Sequence, residues 1–362
     1  MTAVSELETP ALVVDLDQLE RNIARVAGYA REHGLRHVPH AKTHKTELIA
    51  RRQLAAGAAG LTVAKSGEAE AFAARGLGPL LVHYPSVGAA KVRRLAEVAG
   101  EVPLTVALDS AEAAEPLAAA MARRGVSADA LIEVDVGLGR TGVQPEDAAV
   151  LGAEIERMPG LRLAGLSGYP GHARDADGGP AAAMRAADER LQAARDGLET
   201  AGLACERISG GSTSTALHAA GTCLTEVRPG TYVFLDRADG RGDTWSPDDV
   251  ALHVHATVIS VAVPGGMVLD AGSKTLSEAA PARGLSGYGA LPDEPEVEIL
   301  RLFEEHAVCD ISRSERRWAV GDRVRIVPNH VCTCVNLQER LYGARGDEVV
   351  EELPLIARGM VR

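Results

Sequence analysis

Aromatic side chains are scarce in this 362-residue sequence, where Phe, Tyr and Trp together make up 3%. The core must therefore be built from aliphatic side chains and close backbone contacts, which the abundant Ala and the 38 Gly residues permit. Basic residues are in deficit as well: 38 Lys and Arg stand against 50 Asp and Glu, a net charge of −12. That balance argues against a surface for phosphate backbones and excludes nucleic acid as an expected partner. No apolar run approaches the roughly 20 residues of a membrane span. The opening MTAVSELETP has neither the basic nor the apolar stretch of a secretion signal, so the expectation is a cytoplasmic protein with no membrane partner. Five cysteines, an odd number in a long chain, read as thiols or ligands rather than as a disulfide framework. Hydrophobic residues, at 46%, suffice for a full core, and the length predicts about two domains at roughly 150 residues each.

From residue 36 to residue 235 a short aliphatic run, a polar or Gly-rich step and an Ala-rich helical stretch recur. The runs at 36–42, 60–65, 80–84, 104–109, 130–136, 162–169, 206–211 and 226–233 read as eight strands. Helix formers such as AEAAEPLAAAMARRG lie between them and end at Gly. An open doubly wound sheet would place G-x-G-x-x-G after its first strand, and nothing of that form follows residue 42. The fold class predicted is thus an α/β chain: a (β/α)8 barrel over 17–240, followed by a β-rich domain over 241–362 that the early strand 9–16 joins. In that domain VALHVHATVISVAV and GMVLDAG read as antiparallel strands around a Pro-Gly-Gly turn, and the segment through VPNHVCTCV continues in β style.

A barrel collects its chemistry at the C-terminal ends of its strands. Those ends are polar here: Lys42, Lys65, His83 with Tyr84, Asp109, Asp135, Tyr169, Ser212 with Thr213, and Arg228. Strand ends meet loops, and loops are polar anyway, so the weight lies in the set rather than in any member. Lys42 sits in VPHAKTHKT. Partly desolvated beside Lys45, and beside His40 and His44 if these are protonated, it would have a lowered pKa and be poised for Schiff-base chemistry. The Gly, Ser and Thr of SGGSTST (209–215) and RPGTY (228–232) fall after strands seven and eight, where barrels commonly hold a phosphate. A lysine for an aldehyde and a cradle for a phosphate on one barrel mouth imply pyridoxal 5′-phosphate (PLP).

The pieces TPALVVDL, PHAKTHK, GLTVAKSGEAE, DVGLGRTG, GGSTST, EVRPGTYVF and PNHVC resemble the D-threonine aldolase/D-serine dehydratase family, whose barrel is of the alanine-racemase type. The resemblance extends from residue 9 to beyond residue 340. It implies that Lys42 carries PLP covalently and that Arg140 reaches the phenolic-oxygen side of the cofactor. Tyr169 would lie near the pyridine ring, and Ser212, Thr213, Gly230 and Thr231 would hold the phosphate. Arg228 falls where a racemase puts its pyridine-nitrogen arginine. A homodimer is implied too.

PNHVC sets His330 and Cys332 two apart, on one face if the segment is a strand, a spacing that suits Zn²⁺. In the family this pair is the metal site, so the resemblance implies a divalent metal, Zn or Mn/Mg. Cys334 would share the face. PLP supplies an electron sink at Cα, and a metal would bind the β-hydroxyl of a D-amino-acid substrate. Loss of the hydroxyl proton gives retro-aldol cleavage to glycine and an aldehyde. Loss of the Cα proton to Lys42 instead gives elimination, as in a D-serine or 3-hydroxy-D-aspartate dehydratase. The aldolase reading needs a base near the hydroxyl: His172 first, His306 second. The family's base histidine falls slightly further along, where this chain has Asp175. A metal-free racemase, with Tyr288 or Tyr342 serving the opposite face of Cα, and a PLP carrier without turnover are the remaining readings.

Overall fold

The computed structural model describes residues 2–173, 176–239 and 244–362. The chain forms two compact units, one of residues 24–230 with 359–362, the other of residues 1–23 with 231–358. The seams thus fall at 23/24 and 230/231, where the sequence put them at 17 and 240, and the last four residues return to the first unit.

The first unit is built on eight parallel strands, Arg36–His37, Leu61–Val63, Leu80–Val82, Leu104–Leu108, Ala128–Glu133, Leu161–Ser167, Arg207–Gly210 and Glu226–Val227. From the second strand on, each pairs with the next in sequence, and the eighth pairs with the first. The ring closes between the first and second strands through the His40–Thr62 bridge, where Ala41 N–H donates to Thr62 O and Thr62 N–H to Pro39 O, both at 2.8 Å. All eight predicted strands are present. Inside, Val38, Leu81 and Leu131, from the first, third and fifth strands, pack with Ala164 of the sixth into one buried layer, the alternate-strand stacking that fills a barrel without aromatic bulk.

The intervening helices form where the sequence places them. Thr46 Oγ1 caps Glu47–Ala55 by accepting from Ile49 N–H at 3.3 Å. Ala111–Arg124 ends on Gly125 with φ +71°, a left-handed position that glycine takes without strain. Gly165, in the sixth strand, has φ +138° at a register shift against the fifth strand, and a Cβ there would run into the Arg207 carbonyl. Gly165→Ala should therefore cost about 3 kcal/mol or more in denaturant unfolding, combining backbone strain with a clash; a change below about 1 kcal/mol would show that the bulge relaxes freely.

In the second unit a nine-stranded sheet runs in the order Thr2–Ala3, Glu348–Pro354, Arg340–Arg345, Ala11–Asp15, Leu252–Ser260, Gly266–Leu269, Ala307–Asp310, Glu298–Leu302, with Arg323–Ile326 paired to Leu252–Ser260. The early strand Ala11–Asp15 lies between two strands from far along the chain, Leu252–Ser260 and Arg340–Arg345. One prediction fails here. The segment after Ile326 does not continue as a strand but turns at Pro328–Asn329 and becomes the helix Val331–Asn336. The run VCTCV alternates like a strand, yet Val331, Cys334 and Val335 are the buried positions, a helical i, i+3, i+4 spacing.

Candidate active site

The C-terminal mouth of the barrel holds a cavity of about 240 Å³, lined by His40, Lys42, Ala64, His83, Tyr84, Pro85, Glu133, Arg140, Thr141, Tyr169 and Arg228. A larger hollow of about 690 Å³ opens at the N-terminal ends of the strands. Its charges are spent on one another: Arg162 pairs with Asp129 and Glu206, and Arg207 with Glu226. The chemistry of a barrel belongs to the other end.

Lys42 is half-buried, and its Nζ lies 5.5 Å from the centre of the Tyr169 ring, with the Arg140 guanidinium 5.1 Å from the same ring. Arg228 is buried in the wall. One of its Nη atoms donates to the carbonyls of Gly168 (3.1 Å) and Ser209 (3.4 Å), and burial lowers its pKa to about 10. Four of the sequence-predicted residues, Lys42, Arg140, Tyr169 and Arg228, thus line one cavity.

The cations invoked around Lys42 turn out differently. Burial holds His40 neutral, helped by the positive charges of Lys42 and Arg228, and burial pushes His44 down to about 4. Lys45 is neutralised in a buried pair with Glu68 at 3.1 Å. The positive field at the mouth comes instead from Arg140 and Arg228, across the barrel, which a reading of neighbours in sequence does not find. Glu133 was missed as well. It ends the fifth strand, faces the cavity and accepts from Thr141 Oγ1 at 2.8 Å, and burial raises its pKa. The only signal for it was a carboxylate closing an aliphatic run, ALIE.

The loop after the seventh strand begins at Gly211, φ +79°, and is drawn tight by Ser212 N–H donating to Thr215 Oγ1 at 2.8 Å, with the Ser212 and Ser214 hydroxyls 3.0 Å apart. Thr213 is buried in this loop. Gly230 packs on the Lys42 segment, since a Cβ there would come 3.0 Å from Thr43 Oγ1 and 3.3 Å from His40 Cβ. Thr231 follows, opening the turn Thr231–Val233. His172 stands just beyond the sixth strand, its ring 3.5 Å from where a Cβ on Gly137 would be, and its Nδ1 is buried with no hydrogen-bond partner among the described residues. Asp175 lies outside the described residues. His306 is on an exposed turn between Glu298–Leu302 and Ala307–Asp310 of the second unit.

Two observations fit PLP. His83 Nε2 and Arg228 Nε are buried in the cavity wall with no partner among the described residues, so a polar ligand would satisfy them. The loop at 211–215, and Gly230 packed on the Lys42 segment, leave backbone and hydroxyl groups at this mouth for a phosphate.

In the second unit His330 precedes the helix Val331–Asn336 and Cys332 lies in its first turn, so a helix start, not a strand, brings the pair together. Asp236, fully buried, accepts from the His330 imidazole Nδ1 at 2.9 Å and from Val331 N–H at 3.2 Å. Burial opposes charge on His330, but Asp236 and then Cys332 outweigh it and push its pKa up to about 10. A site that favours a proton on the ring also favours a metal cation, and with Nδ1 held by Asp236 the other ring nitrogen is the one for a metal. Among the described residues no group of three or more His, Cys, Asp or Glu side chains is gathered for a metal, so this donor set is a pair that water or substrate must complete. Cys334 is turned away: its thiol donates to Thr275 O at 3.0 Å, and burial raises its pKa to about 12.

A closed parallel barrel with this mouth, joined to a strand-rich unit, is the architecture of alanine-racemase-type PLP enzymes, and residues 14–238 match the family described as alanine racemase, N-terminal domain. Residues 251–344 match the putative serine dehydratase domain. Over 99% of its length the chain is 34% identical to a D-threonine aldolase of Arthrobacter sp, covering 95% of that protein. The crystal structure of D-threonine aldolase from Filomicrobium marinum superposes with a TM-score of 0.90 at 32% identity, covering 99% of this chain and 98% of that one. A cysteine-to-alanine variant of D-threo-3-hydroxyaspartate dehydratase in its metal-free form gives 0.89 at 32% identity, covering 98% and 99%. The chain belongs to the D-threonine aldolase/D-serine dehydratase family of PLP-dependent lyases.

Proposed function

We propose that this protein is a PLP- and divalent-metal-dependent lyase that cleaves D-3-hydroxy-amino acids to glycine and an aldehyde. The observation that carries the reading is the His330–Asp236 hydrogen bond beside Cys332, in a chain that aligns end to end with a D-threonine aldolase. Bound PLP supplies an electron sink for charge at Cα, and the metal a Lewis acid for the β-hydroxyl. Lys42 would carry the cofactor, Arg140 and Tyr169 would orient it from the mouth, and Ser212, Thr213, Gly230 and Thr231 would bind its phosphate. His172 would take the hydroxyl proton as the Cα–Cβ bond breaks. His330 and Cys332 would bind the metal. The same reading includes a homodimer working in the cytoplasm; no described helix is long and apolar enough to cross a membrane.

The second reading is a dehydratase, in which Lys42 removes the Cα proton and hydroxide leaves from Cβ. It is favoured by the spacing of His330 and Cys332, since the related D-threo-3-hydroxyaspartate dehydratase has been solved as variants of a histidine and of a cysteine two residues apart. A racemase is less well supported, since Tyr342, one of its two candidate tyrosines, is packed against Val4, Val13 and Ala344. D-Threonine, D-serine and 3-hydroxy-D-aspartate, each offered to the PLP- and metal-loaded enzyme, separate the cases. Glycine with an aldehyde is the result expected; ammonia with a keto acid selects the dehydratase, and inversion at Cα alone overturns both.

A further inference from the structure

The loop that carries Arg140 is fastened at almost every step. Asp135 Oδ1 accepts from the N–H groups of Gly137 and Gly139, both at 3.0 Å, and Asp109 Oδ2 accepts from Gly142 N–H at 3.2 Å. Val143 N–H returns to Glu133 O and Asp135 N–H to Val143 O, both at 2.9 Å. Arg190 clamps the outside through Asp135 O at 2.6 Å and Gln144 at 2.7 Å. Only one of these ties comes from a charged side chain in the cavity wall: Glu133, which is 3% exposed and holds the Thr141 hydroxyl. Arg140, the residue before Thr141, is by contrast exposed and would be free to swing into water.

Among the described residues, Glu133 is also the one carboxylate lining the cavity that contains Lys42, Arg140 and Arg228. Isolated burial would make it shed its charge; the two guanidiniums oppose that, and Asp109 acts the other way. Nothing in the barrel requires a carboxylate here for folding, since the tie to Thr141 needs only an acceptor. A buried carboxyl that shares the cavity with two arginines and holds the hydroxyl of the residue next to one of them points to a role in arranging them.

We propose that Glu133 is a positioning residue for the cofactor: through Thr141 and by its charge it holds Arg140 over the mouth of the cavity and balances the excess of positive charge there. This rests on the reading of Lys42 and Arg140 as PLP-binding residues. Beyond the guanidiniums of Arg140 and Arg228, the titratable groups facing the same space are Lys42, Tyr84, Tyr169 and the neutral His40 and His83.

The test uses PLP itself with the full-length protein. Glu133→Gln keeps an acceptor for Thr141 but loses the charge. It should weaken PLP binding about tenfold, as expected for a hydrogen bond to a charged group. It should also lower the midpoint of the pH titration of the bound cofactor's visible absorption by about one unit, because removing an anion disfavours the protonated lysine–cofactor linkage. Thr141→Val should weaken binding but leave the midpoint in place, and serves if Glu133→Gln does not fold. In an Arg140→Gln background, Glu133→Gln should weaken binding less than about twofold further, the sign of coupled residues. Fully additive losses, or an unmoved midpoint in a folded Glu133→Gln protein, would overturn the proposal. Failure of the unsubstituted protein to attach PLP at Lys42 would instead overturn the reading beneath it.

Discussion

Lys42→Ala loses the visible absorption of lysine-bound PLP, and lyase turnover falls by about 10⁴-fold or more, to background. The size of the effect follows from how the other lysines near the mouth are occupied. Lys45 is buried against Glu68, whose second oxygen also accepts from Ala64 N–H at 2.7 Å. Lys65 has its Nζ 3.5 Å from the centre of the Tyr84 ring. Neither stands in the cavity wall, so neither should replace Lys42; Lys65→Ala should keep the absorption band. Far-UV dichroism should remain unchanged in Lys42→Ala, since its half-buried side chain lines the cavity. Turnover or a lysine-bound band surviving in a folded Lys42→Ala protein would contradict the assignment.

Removal of the metal should separate turnover from cofactor binding. Strong chelation, or His330→Ala, is expected to lower lyase activity by about 100-fold or more while the visible absorption of bound PLP persists. Asp236→Asn is the finer probe. It keeps the shape of the contact to His330 Nδ1 but weakens the charge that orients the ring, and should cost 10- to 100-fold in metal affinity, roughly the effect of losing an outer-shell partner. Activity untouched by chelation and by His330→Ala would return the protein to the metal-free racemase reading.

The barrel was legible because its strands are short aliphatic runs and its helices end in glycine, both of which are local signals. Closure between the first and second strands was not written anywhere as a motif, but follows once eight parallel strands must satisfy their edges. The helix at Val331–Asn336 was misread for a physical reason: β-branched residues and cysteines in alternation imitate a strand, and only the packing of Val331, Cys334 and Val335 settles the period. At the site, the residues that came through were those in dense motifs, such as Lys42 and Arg140. Asp236 did not, because its partner His330 is 94 residues further along the chain, and Glu133 did not, because its bond to Thr141 exists only once the loop after the fifth strand folds back on the strand end. Whether His40 and His44 carry charge was likewise not legible, because burial decides it, nor was the pairing of Lys45 with Glu68.

The most direct test of the account is to reduce the PLP-loaded protein with borohydride, digest it and locate the phosphopyridoxyl group by mass spectrometry. A single modified lysine, Lys42, is expected. A label on Lys45, Lys65 or any other lysine, or protein that binds PLP without reducible attachment, would contradict it.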